Sequence, residues 1–115
     1  MSIKLKYREV ATERAKRLKQ QNNLCALCGE PIVDDAVLDH DHKTGHIRTV
    51  LHRGCNALLG KIENNLARNK ITPSRLEAIC ESLFEYVTRE YPPVLHPTHR
   101  TGPRKRRKSV RKNKK

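Results

Sequence analysis

Cys25-Ala-Leu-Cys28, then Leu38-Asp39-His40-Asp41-His42, then His52-Arg53-Gly54-Cys55-Asn56 follow one another within 32 residues of this 115-residue chain. The outer members have the spacing of a structural zinc site, which takes nitrogen or sulfur ligands from two knuckles, each offering a pair three residues apart. Cys25 and Cys28 form one such pair, His52 and Cys55 the other. The competing explanation is two buried thiols and a surface histidine, with His42 and His46 as rivals to His52 for the fourth position. In so short a chain, two matched knuckles favour zinc. A zinc ion would draw the ends of the segment together and bring Asn56, next to a ligand, up against Asp39 and His40.

The inner residues are of the types needed for phosphodiester hydrolysis. That reaction needs a water made nucleophilic, charge relief at phosphorus and stabilisation of the departing 3′ oxygen. His40 is the candidate general base, since imidazole titrates nearest neutrality. Asp39 offers a charged oxygen and Asn56 a neutral one, a donor set for a hard cation such as Mg²⁺ or Mn²⁺ rather than a soft one. In a regular strand Asp39 and His40 would point to opposite faces. A shared site therefore predicts irregular backbone over 39–42. The alternative is a polar loop at 39–42 with Asn56 as a helix N-cap, a role asparagine favours.

Composition bounds the setting. Aromatic residues make up 3% of the chain, so its core needs a staple such as a metal, a disulfide or a partner. Residues 1–24 are charged throughout, with no apolar stretch like that of a secretory leader, and nothing reaches the length of a membrane span. A reducing, cytoplasmic setting is expected, where paired cysteines bind metal more often than each other. Ten of the 25 basic residues, and no acid, lie between Arg100 and Lys115, so the remainder carries 15 basic against 12 acidic side chains. The end of the chain, 94–115, reads as a disordered basic arm. Arg104, Lys105, Arg106, Arg107 and Lys108 are its densest run, suited to salt-sensitive binding of DNA. A solubilising tail is the plainer explanation.

Around the motif the spacing predicts an α+β domain over 1–93, with its core at 20–69. A helix is expected over 7–22, with Tyr7, Val10, Ala11, Ala15 and Leu18 on one side. Short strands are expected at 32–33, 36–38 and 47–51, with Ile47, Thr49 and Leu51 on one face and Gly45 at a left-handed turn position. A helix after Cys55 carries Leu58, Leu59, Ile62 and Leu66. A last one starts at Thr72-Pro73, with Ser74 and Glu77 as a capping box, and stops at Pro92-Pro93. Its stripe of Leu76, Ile79, Cys80, Leu83 and Val87 reads as core, Cys80 included. Phe84, Tyr86 and Tyr91 either complete that core, the preferred reading, or form a dimer face. His96 and His99 read as solvated linker.

The run Cys25-x-x-Cys28, Leu38-Asp39-His40-Asp41-His42, Thr44-Gly45-His46-Ile47-Arg48, Cys55-Asn56-Ala57-Leu58-Leu59-Gly60 resembles the phage recombination endonuclease VII family, within the wider HNH, or ββα-metal, nucleases. The resemblance covers about residues 20–65. It implies a β-hairpin and helix gripping one catalytic Mg²⁺ or Mn²⁺, braced by structural zinc on Cys25, Cys28, His52 and Cys55. It implies Asp39 and Asn56 as cation ligands and His40 as base. It further implies that His42 assists at the phosphate or in positioning the metal, and that Arg48 contacts the DNA backbone. The products would be 5′-phosphate and 3′-hydroxyl ends. Branched DNA is the implied substrate. Resolving a four-way junction needs two coordinated cuts and hence a homodimer, whereas a monomer would nick. Two departures stand out. His52 replaces one of four cysteines usual in the best-known members, and Leu59 stands where they carry an acid.

Two other functions compete: a non-catalytic zinc module that binds nucleic acid, and a basic protein that packages it by charge alone. Neither gives Asp39 or His40 any chemical role.

Overall fold

The computed structural model describes residues 3–100. The chain divides into two compact units with the boundary between Ile79 and Cys80. All the motifs above lie in the first. Arg104, Lys105, Arg106, Arg107 and Lys108 lie outside the described residues. Among the described residues no helix is long and apolar enough to cross a membrane.

The first unit is mixed α and β. A single 3₁₀ turn at Tyr7–Glu9 leads into helix α1, Val10–Gln20. Strands β1, Ala36–His40, and β2, Ile47–His52, form an antiparallel hairpin. Helix α2, Arg53–Leu66, leaves β2 without a loop, and helix α3, Pro73–Thr88, follows. The hairpin turns as expected. Asp41 Oδ1 accepts the backbone N–H groups of Lys43 and Thr44 at 2.8 and 3.1 Å, and Gly45 adopts φ +78°. Those two N–H groups hold the Asp41 carboxyl below its usual range. Asp41 is thereby committed to the turn. Ile32-Val33 forms no strand; only an isolated bridge joins Leu24 to Pro31 there.

Of the irregularity expected over 39–42, the extra residue falls on the opposite strand, and β1 itself stays regular through His40, with Asp39 buried and His40 exposed. Leu38 pairs with Val50 and His40 with Ile47, so Arg48 and Thr49 together oppose Asp39. Such a bulge adds twist and re-aims the side chains beside it. It also breaks the expected Ile47/Thr49/Leu51 face: Val50 and Leu51 are both buried, while Ile47 and Thr49 are only half-buried.

The core is small and coincides with the cysteine knuckle. Cys25, Ile32, Val50 and Leu51 are its buried apolar members, and Leu18, Ala36, Leu38, Cys55 and Leu59 pack around them. Leu59, a departure from the implied pattern, is thus a packing residue.

Helix α1 corrects its expected stripe. Tyr7, Ala11 and Ala15 are exposed, and the half-covered positions are Val10, Glu13, Arg14, Arg17, Leu18 and Gln21. The reason is what the helix meets. A two-stranded sheet leaves the outer edge of β2 with unpaired backbone groups, and α1 answers with polar side chains. Gln21 Oε1 accepts from Val50 N at 2.8 Å, Gln21 Nε2 donates to Val50 O at 2.8 Å, and Arg17 donates to Arg48 O at 3.2 Å. Replacing Gln21 by alanine leaves the N–H of buried Val50 without its partner. We expect a loss of about 1–3 kcal/mol, read as a lower urea midpoint at unchanged slope.

Helix α3 begins with Pro73 at the first helical position, as expected, but its cap is Thr72, whose Oγ1 accepts from Arg75 N at 3.3 Å, rather than Ser74 with Glu77. It ends at Thr88, ahead of Pro92. Its stripe is not a core. Cys80 is exposed, as are Ile79, Leu83 and Val87, and Phe84, Tyr86 and Tyr91 are exposed as well. An amphipathic pattern specifies which face seeks cover, and among the described residues these side chains do not find it.

Candidate metal centre and catalytic cluster

The two knuckles meet. One donor atom from each of Cys25, Cys28, His52 and Cys55 lies within 4.8 Å of the others. The first knuckle is shaped by backbone bonds, Cys25 N to Glu30 O and Gly29 N to Cys25 O, both 2.8 Å, with Gly29 at φ +79°. Such a left-handed turn favours glycine. The second knuckle spans the β2–α2 junction, which places Cys55 on the first turn of α2 under His52.

His52 is oriented for a metal. Its Nδ1 faces the sulfurs of Cys28 and Cys55 at 3.3 and 3.7 Å, while its Nε2–H donates to Pro31 O at 2.9 Å. A hydrogen bond of this kind on the far nitrogen is what orients metal-bound histidines. Electrostatics agree. The Pro31 carbonyl, then the Cys25 sulfur, raise His52 to about 9. Burial pushes the Cys25 thiol up, but the backbone N–H groups of Cys28, His52 and Leu27 outweigh it and bring it down to about 6. Cys55 is raised to about 11, by burial first and then by its sulfur neighbours. Three sulfurs and an imidazole gathered at this spacing can hold zinc.

Asp39 lies opposite the bulge and is 4% exposed, the single buried charged residue among those described. Its carboxylate is gripped by Arg48: Nε to Oδ2 at 2.7 Å and Nη2 to Oδ1 at 3.1 Å. The same guanidinium forks onto Glu63, Nη1 to Oε2 and Nη2 to Oε1, both 2.9 Å. Glu63 is held below its usual range by Arg48, and Arg48 is raised, by Glu63 first and then Asp39. The donors of Arg48, expected to face a DNA backbone, are directed inward onto these two carboxylates.

His40 ends β1 and is exposed, where water and a phosphate can reach it. Its ring lies 4.6 Å from that of His42, tilted by 35°. Asn56 sits in α2, four positions beyond His52, the N-cap residue, and is half-buried. It is not the helix cap. Glu63 is the residue that sequence reasoning missed. It stands seven positions after Asn56 and four after the core residue Leu59, so helical spacing puts it on the helix face that meets the hairpin.

No curated protein matches the chain. Among protein families, the one described as recombination endonuclease VII matches residues 1–89 of the 115, and the chain belongs to that family.

Proposed function

We propose that the chain is a divalent-cation-dependent DNA endonuclease of the HNH, ββα-metal build, in which zinc on Cys25, Cys28, His52 and Cys55 braces the hairpin against α2. The observation that carries this reading is Asp39. A buried carboxylate opposite a strand bulge, next in sequence to the first of two adjoining exposed imidazoles, is costly to build and suits a reaction centre. Asp39 and Asn56 would hold the cation. His40 takes a proton from water as its oxygen attacks phosphorus; the P–O3′ bond breaks and the departing O3′ takes a proton from solvent water, giving a 5′-phosphate and a 3′-hydroxyl. His42 steadies the phosphate. A hard divalent ion, when bound, supplies charge relief at phosphorus and at the departing oxygen.

Branched DNA is the proposed substrate, cut by a homodimer. The exposed apolar side chains of α3, Leu83, Phe84 and Val87 among them, are supporting evidence for a second copy, since such patches seek a partner. The basic run Arg104–Lys108 adds sequence-independent affinity for DNA.

One observation favours the second reading, a non-catalytic zinc module that binds nucleic acid: both oxygens of Asp39 already accept from Arg48. Supercoiled plasmid and a four-way junction separate the two. With Mg²⁺ or Mn²⁺ the full chain should convert plasmid to nicked circles and cut the junction faster than its linear arms. With EDTA it should do neither. A chain that binds both substrates and cuts neither, with either cation, is the zinc module.

A further inference from the structure

Four N–H···O bonds leave one guanidinium, two to Asp39 and two to Glu63. The chemistry proposed above uses Asp39 and gives Glu63 nothing to do. Yet Glu63 is the residue that holds Arg48 from the far side, with its side chain 35% exposed where that of Asp39 is 5%.

A carboxylate offers about four acceptor sites, two on each oxygen. The Arg48 fork takes one on each oxygen of Asp39, which leaves one on each free for a further partner. A two-bond fork also fixes the plane of the carboxylate, as a single bond would not. A free arginine side chain has about 2 kcal/mol of rotamer entropy. The second fork, to Glu63, removes that freedom in advance, so Arg48 grips Asp39 from a fixed seat. Charge points the same way. Two carboxylates against one guanidinium leave the trio with one net negative charge. Without Glu63 the trio would be neutral, with no net attraction for a cation.

The geometry points to Glu63 as a positioning residue of the cation site: through Arg48 it fixes the carboxylate of Asp39, and its own charge keeps the cluster anionic. This rests on the reading of Asp39 as a cation ligand. Glu63 itself touches neither DNA nor the reacting atoms.

The test is Mn²⁺ binding to the zinc-loaded full chain without DNA, followed by the paramagnetic signal of free Mn²⁺. Wild type, Glu63→Gln, Glu63→Asp and Asp39→Asn are compared. Loss of one negative charge one guanidinium away from Asp39 should weaken binding by about tenfold in Glu63→Gln, with zinc content unchanged. Glu63→Asp keeps the charge but has a shorter reach and should fall between that variant and wild type. If Glu63→Gln fails to fold, Glu63→Asp decides: affinity equal to wild type overturns the role, and a reduced one supports it. If Glu63→Gln lowers the melting temperature but binds Mn²⁺ as wild type does, Glu63 is a structural ion-pair partner only and the inference is overturned. The Asp39 reading survives that result provided Asp39→Asn loses Mn²⁺. If Asp39→Asn binds like wild type, or wild type binds no Mn²⁺, the Asp39 reading falls and this inference with it.

Discussion

Replacing His40 by alanine should slow plasmid nicking by about 10²–10⁴-fold, the usual contribution of a positioned general base, while DNA affinity in the absence of divalent cation stays as in wild type. The argument is one of elimination within Asp39-His40-Asp41-His42. Asp39 is buried and held by Arg48, so its carboxylate is not free to roam toward a water. Asp41 gives Oδ1 to two backbone N–H groups of the turn. Of the two imidazoles left, His40 ends the strand directly after Asp39, and His42 lies beyond the bulge. His40 directly follows the proposed cation ligand and is the imidazole nearer to it along the chain. His42→Ala should therefore lose less rate than His40→Ala. Single-turnover nicking rates measure both, and a gel shift in EDTA supplies the binding control. If His40→Ala cuts as fast as wild type, this mechanism is wrong. If His42→Ala loses everything and His40→Ala little, the two histidines exchange roles.

Much of the centre was legible before any coordinates, and the reasons differ by residue. The gathering of four candidate donors was readable because tetrahedral coordination imposes a spacing that survives in one dimension, Cys25/Cys28 against His52/Cys55. The turn was readable through Gly45, whose φ of +78° suits glycine. Irregular backbone at 39–42 is what period-two alternation predicts for a shared site, yet β1 keeps that alternation, with Asp39 buried and His40 exposed. That the extra residue falls on β2 did not follow, because pairing register is a property of two strands and no single-strand pattern encodes it.

Glu63 was missed for a related reason. On α2 it looks like any solvated helix acid, and its role appears only when the bulge brings Arg48 opposite Asp39. The α1 stripe failed because apolar spacing finds faces that seek oil, whereas α1 meets a strand edge, which calls for amide and guanidinium donors. Cys80 was assigned to a core on spacing; the stripe exists, but among the described residues nothing buries it.

Stripping the metal should unfold the first unit outright. Only Cys25, Ile32, Val50 and Leu51 are buried apolar side chains among the described residues, and one of these is itself a candidate zinc ligand. A structural zinc site contributes on the order of 10–16 kcal/mol at neutral pH. The whole stability of a typical domain is only about 5–15 kcal/mol. The core here sits at the small end, so the metal term exceeds what remains without it. The expected result with a strong zinc chelator is loss of amide dispersion in proton NMR spectra and of most helical circular dichroism, both restored by equimolar zinc. Cys25→Ser should reproduce the loss, since the other three donors converge on that sulfur, whereas Cys80→Ser, at an exposed position, should melt as wild type does. His52→Cys is the sharper comparison. It keeps four donors and should retain zinc, but it gives up the bond from Nε2 to Pro31 O and so should melt lower. Acid acts in the same direction as the chelator. Binding requires the Cys55 thiol and His52 Nδ1 to be free of protons, and both groups hold theirs more tightly than usual in the metal-free site, up to about 11 and about 9. Falling pH therefore favours the protonated, metal-free form, and zinc affinity should fall steadily as pH drops below about 9, with the fold lost once the metal leaves. A chain that keeps its dispersion and its melting temperature after complete removal of zinc would show the brace to be unnecessary.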